Sequence, residues 1–135
     1  MDVTALWALF VSFERRLATE LGALGLTVSS FRLIGEVMRE PDGIRQAELA
    51  RRLGVRPPTV SAAVGRLEER GLVRRIPDPD DPRARRVCLS PEASLMPGLD
   101  VLSRMNDLLF GAMTDAERSQ ARALIQALAH RLEES

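Results

Sequence analysis

Apolar residues recur at steps of three and four from the start of the chain. Leu6, Leu9, Phe10, Phe13, Leu17 and Leu21 fall on one stripe and predict a first helix over about Val3 to Leu21. Gly22 and Gly25 end it. Thr27 caps a second helix, Val28 to Arg39, with Phe31, Ile34, Val37 and Met38 facing inward. Pro41, Asp42 and Gly43 read as a turn. A third helix runs from about Arg45 to Leu53 and buries Leu49, Ala50 and Leu53; Gly54 gives it a sharp exit. A fourth starts at Pro57 and Pro58, where a missing N–H costs nothing, and stops at Gly71.

The pattern then changes. Leu72 to Ile76 and Arg85 to Ser90 read as strands around a turn-rich loop, Pro77-Asp78-Pro79-Asp80-Asp81-Pro82. In the tail, Pro91 opens a helical segment that Pro97 and Gly98 interrupt before it resumes from Leu99 to Phe110. Thr114-Asp115-Ala116-Glu117 is a capping-box pattern and starts a last helix through Leu124, Ile125, Leu128 and Leu132. The expected fold is mainly α with a small β-wing. A winged helix-turn-helix lobe over 27–90 is flanked by helices over 1–25 and 91–135, all in one domain spanning 1–135. There are no internal repeats and no low-complexity segments.

Two short helices, a tight turn and an arginine-rich hairpin form a module that lays one helix in the DNA major groove and a hairpin beside it. At 100° per residue, Val60, Val64 and Leu67 share the inner side of the fourth helix. Pro58, Ala62, Gly65, Arg66 and Glu69 share the outer side, with Thr59 and Ser61 on its flanks. Small residues let such a helix sit deep in a groove. Thr59 and Ser61 reach bases or phosphates, and Arg66 can fork onto guanine or a phosphate. Free N–H groups at the helix start attract phosphate, and Arg56, just before Pro57 and Pro58, is placed to contact one as well. A plain amphipathic helix of an all-α protein would show the same face. The hairpin weighs against that, because stability alone does not require Arg74, Arg75, Arg83, Arg85 and Arg86 on a protruding element. Arginines there suit the minor groove. Asp81 is placed to hold Arg83 or the loop, the alternative being a solvent-exposed turn residue.

Net charge is zero over 135 residues. From Arg45 to Arg86, however, eleven arginines face six acidic residues, about +5, and the remainder carries about −5. Attraction to phosphate is local, screened within about 10 Å, so the segment outweighs the sum. Every basic residue is Arg, a side chain whose fork matches phosphate and guanine.

The 45% apolar fraction is ordinary for a globular chain, and no apolar run is long enough to span a membrane. The first residues lack a basic start and a cleavage site, so no signal peptide is expected. A single cysteine, Cys88, fits a reducing cytoplasm. The single histidine, His130, has no ligand cluster near it in sequence, and no phosphate-cradling Gly loop exists. No enzyme, metal or cofactor is therefore expected. Two other readings stay open. One is a redox switch at Cys88, with Arg85 and Arg86 nearby to favour the thiolate. The other is a protein-interaction winged helix without specific DNA binding.

The chain resembles the MarR family of bacterial transcription regulators. The resemblance rests on Leu26-Thr27, on the run from Leu49 to Val55, on Pro57 to Ser61, and on Arg66 to Arg75. It continues through the wing from Asp78 to Ser90, and the flanking helices follow the same layout. It implies a homodimer in which the first and last helices interleave, here through Leu6, Leu9, Phe10, Phe13, Leu124, Leu128 and Leu132. It also implies a repressor more readily than an activator, two lobes on a pseudo-palindromic DNA duplex, and half-sites about 34 Å apart. Release by a small, commonly aromatic, acid is a further implication. Independently of the resemblance, the end helices carry more apolar stripe than one small lobe needs, as an association site does. Two positions depart from the family pattern. Arg56 stands where relatives often have a capping Ser, and Pro82 where they often have another Arg.

Overall fold

The computed structural model describes residues 2–134. Six helices and three strands follow in the order α1 (Val3–Gly22), α2 (Val28–Met38), β1 (Ile44–Arg45), α3 (Gln46–Leu53), α4 (Pro57–Glu69), β2 (Val73–Pro77), β3 (Arg85–Leu89), α5 (Met96–Phe110) and α6 (Asp115–Glu134). The chain forms two compact units, which meet in sequence at Leu99–Asp100.

In the first unit, the helix starts are built as the sequence dictates. Asp2 accepts from the N–H groups of Thr4 and Ala5 at α1, and Thr27 Oγ1 accepts from the Ser30 N–H at α2 (3.0 Å). Gly54 leaves α3 at φ 67°, and Gly71 follows α4 at φ 73°. Both supply the left-handed turn that lets the next N–H reach back, Val55 to Ala50 O and Leu72 to Leu67 O. Leu33, Val37, Leu49, Val60, Val64, Leu67, Val73 and Val87 are essentially shielded from solvent and form the core of the winged lobe. Each such side chain contributes roughly 1.5–3 kcal/mol of burial.

Several elements depart from the expectation. The hairpin gains a third strand, because Ile44 and Arg45 pair with Val87 and Arg86, giving the antiparallel order β1-β3-β2. Arg45 therefore lies in β1, and α3 begins at Gln46. Pro77 ends β2 rather than opening the loop, which is tolerated because β2 is an edge strand. No helix opens at Pro91. Instead α5 runs unbroken from Met96 with Pro97 and Gly98 in its first turn, where a proline forfeits no helical hydrogen bond. Met38 is exposed: the inward face of α2 centres on Leu33, Ile34 and Val37, and Met38 is rotated about 90° from it.

In the second unit, the capping box at α6 closes both ways. The Glu117 N–H donates to Thr114 Oγ1 (3.2 Å), and the Thr114 N–H donates to Glu117 Oε1 (3.0 Å). Arg118 donates to the carbonyls of Phe110 and Gly111 at the end of α5. No residue of α6 is buried. Among the described residues no helix is long and apolar enough to cross a membrane.

Candidate nucleic-acid interface

Helix α4 presents two distinct sides. Val60, Val64 and Leu67 are buried, while Pro58, Thr59, Ala62, Arg66 and Glu69 are exposed and Ser61 and Gly65 are half-buried at the margins. A Cβ built on Gly65 meets nothing within 4 Å, so neither the fold nor the packing requires glycine there. Arg56 is the N-cap and makes no side-chain capping bond.

The helix start offers fewer free N–H groups for phosphate than a helix without its two prolines. Pro57 and Pro58 carry none, and those of Thr59 and Val60 both donate to Arg56 O (3.0 and 3.2 Å). An anion at this end meets the main-chain N–H and guanidinium of Arg56 and the Thr59 hydroxyl.

Behind α4, the supporting helix α3 is fixed to α2 through Arg52, which reaches Glu40 (2.9 Å), Glu36 (3.6 Å) and Glu48 (3.1 Å). Arg51 and Arg52 together push the Glu48 carboxyl down to about 2. At the far end of α4, Arg70 donates to Gly25 O and Leu24 O (2.6 and 2.7 Å), just past the C-terminus of α1.

The wing is a hairpin in which Val73 faces Leu89, Arg75 faces Val87 and Pro77 faces Arg85. Its five candidate arginines separate into three kinds. Arg83 and Arg85 are exposed, and neither ion-pairs with any described residue. Arg86 is instead held by Asp78 (3.1 Å), and Arg75 by Glu68 (3.2 Å), Gln46 (3.2 Å) and Ser61. Arg74 is exposed as a residue, with its Nε donating to the sulfur of buried Cys88 (3.4 Å). Arg56 and Arg66 on α4 are exposed and make no ion pair with a described residue.

Asp81 supports the loop through the backbone: its Oδ1 accepts from the Arg83 N–H (2.9 Å), and its carbonyl accepts from the Ala84 N–H (3.1 Å). A second aspartate, unmarked in the sequence reading, anchors the base of the wing. The Asp78 side chain is fully buried and meets Arg45 Nε at 2.6 Å and Arg86 Nε at 3.1 Å, and it accepts from the Asp80 N–H at 2.8 Å. Arg45 foremost, then the Asp80 N–H, hold its carboxyl well below the usual range against the opposing effect of burial. The only sequence signal was the Asx-turn pattern of Asp78-Pro79-Asp80.

The positions expected to pair two subunits lie open in the single chain. On α1, Leu6, Leu9, Phe10 and Phe13 are exposed, and so is Trp7, whose ring lies tilted against that of Phe10 with centroids 5.5 Å apart. On α6, Leu124, Ile125 and Leu132 are exposed and Leu128 is half-buried. His130 is exposed and pairs with Glu134 one turn on (3.0 Å). Among the described residues no three His, Cys, Asp or Glu side chains converge as a metal site.

A family model described as the MarR family matches residues 24–84. A crystal structure of MarR is 30% identical and aligns over 100% of both chains with a TM-score of 0.80. A MarR transcriptional regulator from Methanosarcina mazei is 24% identical, covers 98% of this chain and 96% of its own, and gives a TM-score of 0.78. The S. aureus MepR–DNA complex is 19% identical, covers 97% and 98%, and gives 0.74, a likeness of fold. No curated protein matches the sequence.

Proposed function

The chain belongs to the MarR family of transcription regulators, and from that premise we propose that it is a sequence-specific DNA-binding repressor. It acts as a homodimer on a pseudo-palindromic operator. The observation that carries this reading is the exposed face of α4, built of small residues and Arg66, beside a wing whose Arg83 and Arg85 are free of ion pairs with described residues. In this reading α4 reads the major groove, and Arg83 and Arg85 hold the adjacent minor groove.

Dimerisation is supported by α6, none of whose residues is fully buried, and by the apolar stripe of α1. Exposed faces of that extent are association surfaces. Release by a small aromatic or acidic effector is part of the reading on the family's habit alone. Such an effector must bind the DNA-competent and incompetent dimers with different affinity. Cys88 is buried within β3, a setting in which thiols are inert, so the redox reading is not favoured.

Salt titration of duplex binding tests the proposal. Arg56, Arg66, Arg83 and Arg85 give eight uncommitted cations per dimer; if half meet phosphate, log affinity falls against log salt with a slope of about −4. Absence of binding, or a slope near zero, would remove DNA as the partner.

A further inference from the structure

Two helices with different tasks meet at one side chain. Helix α1 carries the apolar stripe that the dimer reading uses, and α4 carries the side that faces DNA. Arg70 is the C-cap of α4. Its Nη1 donates to Gly25 O (2.6 Å) and its Nη2 to Leu24 O (2.7 Å). Both bonds are short and charge-assisted.

The two acceptors lie just past the end of α1. Ala23 caps that helix, and the turn closes with the Gly25 N–H on Gly22 O and the Leu26 N–H on Leu21 O, both at 3.0 Å. Gly25 takes φ 71° to do so. The carbonyl end of a helix carries partial negative charge and favours a cation. The fork also rests against the glycine, since a Cβ on Gly25 would lie 3.5 Å from both terminal nitrogens of Arg70.

Elsewhere α1 meets the lobe through apolar contact. Leu17 and Leu21 are its buried residues, and α2 is the helix it packs on. Apolar contact is non-directional, so it resists separation more than rotation. A planar fork on two carbonyls fixes direction. The lever is long. Helix α4 has 13 residues, about 20 Å at 1.5 Å per residue. A swing of about 10° about its Arg70 end moves its start by about 3.5 Å, one base-pair rise of a duplex.

We propose that Arg70 is a positioning residue for operator recognition. It fixes the angle between the dimerisation helix and the recognition helix, and so sets the half-site spacing that the dimer accepts, without itself touching DNA. The inference rests on the homodimeric DNA-binding reading given above.

The test begins with the operator that the intact protein selects from a random duplex pool. Affinities of wild type, Arg70→Ala and Arg70→Lys are measured on that operator and on versions with one base pair added or removed between the half-sites. Wild type is expected to lose about 5- to 150-fold on the altered spacings, the cost of one mismatched base pair or more. In Arg70→Ala that discrimination is expected to shrink by about 10-fold, the worth of one charge-assisted hydrogen bond. Arg70→Lys, which keeps the charge without the fork, is expected to fall between.

A second readout needs no DNA. Nitroxide labels on Thr59→Cys, at the exposed start of α4, in a Cys88→Ser background report the distance between the two recognition helices of a dimer by pulsed electron paramagnetic resonance. The distribution is expected to be narrow with Arg70 and broad with Arg70→Ala. Thermal melts confirm that each variant is folded; where Arg70→Ala is not, Arg70→Lys carries the comparison. A role in stability alone would lower affinity equally at every spacing. A folded variant that keeps either the wild-type discrimination or the wild-type width overturns the inference and leaves the DNA reading intact. Failure of wild type to select an inverted repeat overturns the DNA reading itself.

Discussion

Replacing Gly65 by alanine separates the demands of folding from those of DNA binding. Gly65 is the ninth of the thirteen residues of α4, in the helix interior and half-buried at the margin of its outer side. Its φ is not positive, and an added Cβ finds open space. Within the protein the change is therefore a gain: alanine is favoured over glycine in a helix interior by about 0.8–1 kcal/mol. At fixed protein concentration that raises the melting temperature by about 2–5 °C. On the operator the sign reverses. If this face lies against the groove floor, the extra methyl overpacks it by about 1–3 kcal/mol, which is about 5- to 150-fold in affinity. Thermal unfolding gives the first quantity, and fluorescence anisotropy on a labelled operator gives the second. A rise in melting temperature with undiminished affinity would show that this side of α4 does not face DNA. A fall in melting temperature would contradict the description of the helix itself.

Other outcomes follow from the same geometry. Arg66→Ala should relax sequence preference. Arg83→Ala should weaken binding to all sequences and make the salt slope shallower by about 1 per subunit; competition binding with specific and random duplexes distinguishes the two, and an unchanged affinity in Arg83→Ala would refute the wing assignment. Leu67→Ala, at a fully buried core position, should destabilise by about 2–5 kcal/mol in urea unfolding, and a near-neutral result would mean that α4 does not pack as described. Glu48 and Asp78 stay ionised in the folded chain where the unfolded chain protonates them, so stability rises with pH across that range. The share from Glu48 is complete above its ordinary 4.5 and is lost as pH falls to about 2, and that of Asp78 erodes below its ordinary 3.8. Asp78→Asn should therefore lower the urea midpoint at neutral pH and flatten its decline below about pH 4; curves parallel to wild type would refute the clamp.

The sequence announced its helices well because their signals are local. In α4 a proline pair, three buried positions at helical spacing and Gly71 all agree. Strand β1 was invisible because two residues carry no alternation, and its pairing with β3 lies far along the chain. The sorting of the wing arginines was hidden for the same reason. Arg45 and Asp78 are 33 residues apart, and nothing local tells that Asp78 holds Arg86 while Arg83 and Arg85 stay free of such a partner. The interruption expected at Pro97 failed because a proline breaks a helix only beyond its first turn. The missing N–H donors at the start of α4 are written in the sequence, as Pro57 and Pro58.

The central claim is that two copies of this chain read one DNA sequence together. Selection from a random duplex pool at moderate salt, with the purified full chain, tests it most directly. The account predicts an inverted repeat whose half-sites lie about one helical turn, ~34 Å, apart. Recovery of no motif, with binding that vanishes on modest added salt, would contradict it.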